Sequence, residues 1–159
     1  MEISLPVFVF MGIPEGIALA TLAFTILDLK VSLKYLFLVG TTLSTVVYLL
    51  RLLPITFGVH TIISILVLFF ILNILFKANV ILSIMVSLTT YLILILSETI
   101  SIIVCVKIFN LTQVIIEDDL LLEIAIGYPH ILLIFLTAYL IDKNILQMRL
   151  LVERIFKEL

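Results

Sequence analysis

The chain has 159 residues, of which 64% are hydrophobic and only 13% charged, with a formal net charge of −2. A soluble domain carries about 45–50% apolar and about 25% charged residues, so this composition excludes a water-facing shell, and the small net charge gives no ground for a nucleic-acid partner. The single cysteine, Cys105, excludes an internal disulfide and a cysteine-based zinc site.

The apolar stretches are continuous, not alternating, which predicts helices and not a barrel. Only these two architectures satisfy every backbone polar group inside lipid. A spanning helix needs about 20 apolar residues, and five stretches qualify as candidates. The first covers about 5–27 and is punctuated by Pro6, Gly12, Pro14 and Gly16. No basic flank precedes it and Glu2 carries the wrong sign, so no cleavable signal peptide is expected. A polar turn with Asp28, Lys30 and Lys34 leads to the second span, 35–53. The stretch Arg51-Leu-Leu-Pro-Ile-Thr-Phe-Gly-Val-His60 sets a cation, a proline, a glycine and a histidine between two long apolar runs, and is expected to be a hinge at a membrane face. The third span covers 60–76, and Lys77-Ala-Asn79 forms a tight turn. The fourth covers 80–109, longer than needed, so it should tilt or protrude. A loop over 110–123 carries the acidic run Glu117-Asp118-Asp119. The fifth span covers 124–141, with Pro129 near its start. The expected fold is thus an all-α integral membrane protein: a bundle of about five transmembrane helices over 1–142, with a charged amphipathic tail over 143–159.

Lysine and arginine are retained on the cytoplasmic side. Lys30, Lys34, Lys77, Lys143, Arg149, Arg154 and Lys157 fall on one face when the turns are taken alternately, and only Arg51 and Lys107 fall on the other. This predicts an outer N-terminus and an inner C-terminus. The unusual residues then segregate. Glu15, Arg51, His60, Glu98, Lys107 and His130 fall in the outer half, with most of the prolines and glycines. The inner half holds Gly40 and hydroxyl or amide side chains such as Ser44, Asn73 and Ser83. That pattern suggests a cavity open to the outside.

Glu15, Arg51 and Glu98, with His60, are the candidate site. A charge within a span costs roughly 2.5–3.5 kcal/mol on insertion scales, so such residues persist when they pair or face water. A Glu–Arg–Glu cluster would satisfy each member. The alternative is a structural ion pair, or Arg51 reaching the outer head groups. Gly12-Ile-Pro14-Glu15-Gly16 offers either a ligand-facing broken helix or a simple kink and close packing through Gly12 and Gly16. His60 and His130 suit either sensing or interfacial capping. The acidic run could take up a cation or a basic peptide, or could be a solvated loop. No nucleophile–base arrangement, metal-ligand set or cofactor motif is evident, so an enzyme is not expected.

Ile145, Met148, Val152, Ile155 and Leu159 repeat at spacings of 3, 4, 3 and 4. This is a coiled-coil seam of two heptads, which suits a homodimer or a larger membrane complex. It suits equally a helix lying on the inner leaflet.

Three segments together resemble a known family: Met11-Gly-Ile-Pro-Glu-Gly-Ile-Ala-Leu-Ala-Thr-Leu-Ala-Phe24, Arg51-Leu-Leu-Pro-Ile-Thr-Phe-Gly-Val-His-Thr61, and the acidic span at Ser97-Glu98. They are similar to the membrane sensor domains of Gram-positive bacterial histidine kinases, the group related to quorum-sensing peptide receptors and sporulation-type kinases. The resemblance covers residues 1 to about 142 as a general pattern and not through a catalytic motif. It implies a bacterial cytoplasmic membrane and a multi-helix domain that feeds a coiled coil, then a phosphorylatable histidine and an ATPase domain. The sequence departs from the family after the last span, where neither a phosphoacceptor histidine nor an ATP-binding motif follows. The expectation is a sensor domain without the kinase part, standing alone or cut short.

Two function classes compete with a receptor for a peptide or small-molecule ligand. A transporter or channel subunit would use broken helices and intramembrane carboxylates. The inner half shows no evident polar line, so Ser44, Asn73 and Ser83 are the residues on which flux would depend. A non-catalytic accessory subunit would use the polar residues only for packing.

Overall fold

The computed structural model describes the backbone of residues 5–53, 58–109 and 120–158, and side chains as far as residue 107, at 121–122 and over 124–145. Within these residues every regular element is helical. Helix α1 is Leu5–Ile26, α2 is Leu33–Arg51 and α3 is Val59–Leu75. Helix α4 is Val80–Phe109 and α5 is Leu120–Glu158. Four apolar segments are long enough to cross a membrane: Leu5–Ile26, Leu33–Arg51, Val80–Lys107 and Ile124–Ile145. The fifth candidate, α3, is shorter and spans about 25 Å at 1.5 Å rise per residue.

The element boundaries follow local chemistry. Asn79 caps α4 by accepting the Ile81 N–H on its side-chain oxygen at 2.9 Å. Asn73 donates to the Ala78 carbonyl at 3.0 Å, so both amide side chains tie down the turn before α4. Gly58 opens α3 at φ +94°, a conformation that only glycine adopts without strain. The rest of the expected hinge, 54–57, lies outside the described residues, as does the acidic run 117–119. At α5 the structure differs from the expected boundaries. Residues 120–123, expected in the loop, are helical, and no break separates the fifth span from the tail. Pro129 therefore sits inside the helix and not near its start. The side chains of the tail seam beyond Ile145 lie outside the described residues.

Helix α1 is the hub. It packs against α2, α4 and α5, while α2, α3, α4 and α5 form an arc in which each touches the next. Ala18, Ala20, Leu22 and Ala23 are completely buried, so α1 is covered on every side over this stretch. Small residues permit the closest approach. A Cβ on Gly16 would collide with Ser44 and the Gly40 carbonyl, and a Cβ on Gly40 would sit 2.7 Å from the Ile17 Cα. Phe24, Tyr35 and Phe76 stack edge to face, with centroids 4.8 Å and 6.3 Å apart, and join the lower ends of α1, α2 and α3. The outer faces of the arc are apolar and open, with Leu33, Ile62, Ile81 and Leu132 among the exposed side chains. Such faces suit lipid, and the four long helices are those of a multi-pass membrane bundle.

Candidate functional site

Helices α1 and α3 both pack closely against α2, and less closely against each other. The gap between them is a cavity of about 610 Å³, closed on its other sides by α2 and α4. Its lining comes from the first half of α1, the last half of α2, the start of α3 and the second half of α4, so it opens at one end of the bundle. Glu15, Arg51, His60 and Glu98 all line it, as do Gly12 and Gly16, whereas Pro14 does not. Leu19, Leu43 and Leu94 give it an apolar floor.

Proline shapes the α1 wall. Pro14 has no N–H to return to the Phe10 carbonyl four residues earlier. The preceding turn, Phe8–Gly12, widens to a π-helical register, and the Ile13 N–H reaches the Phe8 carbonyl. The helix is therefore shifted in register and not interrupted, and neighbouring helices satisfy the freed carbonyls. The Tyr128 hydroxyl of α5 donates to the Phe10 carbonyl at 3.0 Å. The Ser44 hydroxyl of α2 lies 2.6 Å from the Gly12 carbonyl and 2.9 Å from that of Gly40. A single hydroxyl hydrogen is thus shared between two helices. This is the compensation expected where a proline enters a helix in lipid.

Among the described residues Glu15, Arg51 and Glu98 line the same cavity, but no ion pair joins Arg51 to either carboxylate. Among the described residues Glu15 approaches His130, whose Nε2 lies 3.6 Å from the carboxylate, an ion pair when the imidazole is protonated. The His130 side chain is 4% exposed and that of Glu15 24%. Arg51 is the last residue of α2, exposed at the rim, where its charge complements the helix C-terminus. Glu98 is also exposed, on the α4 wall. His60 lies in the first turn of α3. The cavity therefore carries two carboxylates, a guanidinium and an imidazole. Only one carboxylate is paired, and its partner comes from a helix that does not line the cavity.

Sequence reasoning placed His130 in the outer half without pairing it. It is one of two histidines, and residue counting put it in the same half as Glu15, but counting does not give the direction in which a side chain points. Tyr91 was missed altogether. Its ring lines the cavity at 3% exposure, and its hydroxyl is turned toward Ser64 of α3. Cys105 is buried on α4 and behaves as a small hydrophobe. Among the described residues no three His, Cys, Asp or Glu side chains converge on a metal position.

No family model matches this chain, and neither a curated protein nor a solved structure matches it. Fold and site define the class by themselves: a helical bundle of membrane-crossing length with a charged cavity at one end.

Proposed function

We propose that the chain is a sensor or receptor-type membrane domain that recognises a peptide or small molecule in this cavity. The bundle crosses the membrane five times, with the N-terminus outside and the C-terminus inside, so the cavity faces out. A ligand displaces or recruits the Glu15 carboxylate, and the change reaches α5 through His130. Helix α5 then shifts its inner end within a homodimer or larger complex. The observation that carries this reading is the double role of Glu15, which lines the cavity and pairs with a helix that runs unbroken from Leu120 to Glu158. A continuous helix transmits a displacement along its length, whereas a jointed one dissipates it.

The test combines binding with geometry. Purified protein in detergent is screened by thermal unfolding against short apolar peptides and small organic ions. A ligand at 100 times its Kd stabilises by about 2.7 kcal/mol, which is readily seen. At least one compound should stabilise the protein, and Arg51→Met or Glu98→Gln should remove the effect. Spin labels at the exposed Thr42 and Asn144 should change their separation when that compound binds. A screen in which no compound stabilises the protein, or a bound compound that leaves the label distance unchanged, would overturn the proposal.

A further inference from the structure

The charges around the cavity do not balance. Glu15 and Glu98 bring two carboxylates, and Arg51 brings one guanidinium. Two helix ends meet at the rim, the C-terminus of α2 and the N-terminus of α3. They carry about half a charge each, of opposite sign, and cancel. Glu15 faces His130 of α5. Glu98 has no ion pair among the described residues, although Glu15, His130 and Arg51 all lie within electrostatic reach of it. Glu98 is therefore the charge that the cavity leaves uncompensated.

The rest of the lining is of another kind. Leu19, Leu43 and Leu94 form the floor. The stacked rings of Phe8 and Tyr48, with centroids 4.5 Å apart, stand on the wall between α1 and α2. At about 610 Å³ the space suits a drug-sized molecule, most of whose surface such pockets cover with apolar side chains. An apolar body that fills it displaces the water around Glu98. A carboxylate stripped of water and given no counter-charge is costly. A neutral occupant leaves that cost standing, and an anion adds repulsion from both carboxylates. An occupant that carries its own positive charge removes the cost, and the aromatic faces attract the same charge.

We propose that the ligand of this cavity is an organic cation, with a single ammonium or guanidinium group on an apolar body. The positive group sits against the Glu98 carboxylate, and the body covers the leucine floor and the Phe8–Tyr48 pair. The inference rests on the reading of the cavity as a recognition site, and adds the sign of the charge that the site selects.

A matched series of compounds tests the sign. Diphenylpropylamine, diphenylpropanol and diphenylpropionate share one two-ring body and are cationic, neutral and anionic at neutral pH. Each is titrated against the purified full chain in an uncharged detergent, with thermal unfolding as the readout. The amine should stabilise the protein, and the alcohol and the carboxylate far less. Glu98→Gln, at an exposed position, should weaken the amine's affinity about tenfold or more, the size of one lost charge-assisted contact. Thr42→Val removes an exposed hydroxyl that bonds the Leu38 carbonyl away from the cavity, and should leave that affinity unchanged. Stabilisation by the alcohol or the carboxylate equal to that by the amine overturns the inference and leaves a recognition site of another selectivity. Amine binding that is indifferent to Glu98→Gln overturns it as well. Stabilisation by none of the three overturns it too, and the wider ligand screen then decides recognition by itself.

Discussion

Glu15 takes part in two structures at once, and this makes it the residue whose replacement is most informative. Its carboxylate borders the cavity and accepts the approach of His130 Nε2 at 3.6 Å. His130 is almost wholly buried, so removing it takes away both a packed ring and the group that faces the carboxylate. We expect His130→Ala to destabilise the bundle by about 1–3 kcal/mol. Glu15→Gln should cost little more in that background, with a coupling of about 0.5–3 kcal/mol between the two positions. Unfolding by graded denaturing detergent measures all four corners of the cycle. Strictly additive losses would show that the two side chains do not interact. At this scale the sequence was partly legible. Glu15, Arg51, His60 and Glu98 stand out because an ionisable group in an apolar run is costly, and they do line one cavity. The partner of Glu15 was not legible, because residue counting gives depth and not the direction in which a side chain points. Arg51 and Glu98 shared its depth, whereas His130 shared both depth and direction.

Among the elements, α1 sets the shape of the bundle through one proline and one glycine. Pro14 frees the Phe10 carbonyl, and Tyr128 on α5 occupies it. Tyr128→Phe should therefore cost about 0.6 kcal/mol, the typical worth of a hydrogen bond between helices in membranes, with about 1.7 kcal/mol as an upper bound. In a Pro14→Ala background the helix regains an N–H for that carbonyl, so the same Tyr128→Phe change should cost close to nothing. An equal cost in both backgrounds would mean that the tyrosine hydroxyl does not serve the carbonyl freed by proline. Gly16 acts differently. It allows α1 and α2 to approach until a Cβ would strike Ser44 and the Gly40 carbonyl. Both collisions involve parts that cannot swing away freely, a backbone oxygen and a hydroxyl held by two carbonyls. Gly16→Ala should cost about 1–3 kcal/mol, the range for overpacking a tight site, and a stability equal to wild type would mean that the helices separate without loss. The glycines and proline were visible in the sequence. Their neighbours were not, because every helix here is apolar on all sides and lipid supplies no polar face to fix its rotation.

For the whole molecule, helix positions were legible because runs of about 20 apolar residues have no other use, and the turns at 28–34 and 77–79 were marked by charge and amide side chains. The arc around α1 was not legible, since packing order depends on small residues that look alike in every span. The remaining question at this scale is whether α3 crosses the membrane. It is 17 residues long, short of the usual span. Yet its two ends reach the same levels as those of its longer neighbours. Its first turn lines the cavity through His60, and Phe76, just beyond its last residue, stacks on Phe24 and Tyr35 at the opposite end. On the proposed five-span reading, a helix that joins both ends of the bundle traverses what the bundle traverses, with the bilayer thinned locally to meet it. The turns before α2 and before α4 then lie on the same side. Single cysteines at the exposed Ser32, Asn79 and Asn144, each in a Cys105→Ser background, should all resist a membrane-impermeant maleimide in intact cells, whereas Lys107→Cys should react. If α3 failed to cross, Ser32→Cys and Asn79→Cys would label from opposite sides. The positive-inside assignment would then fail as well, because Lys34 and Lys77 could no longer share a face.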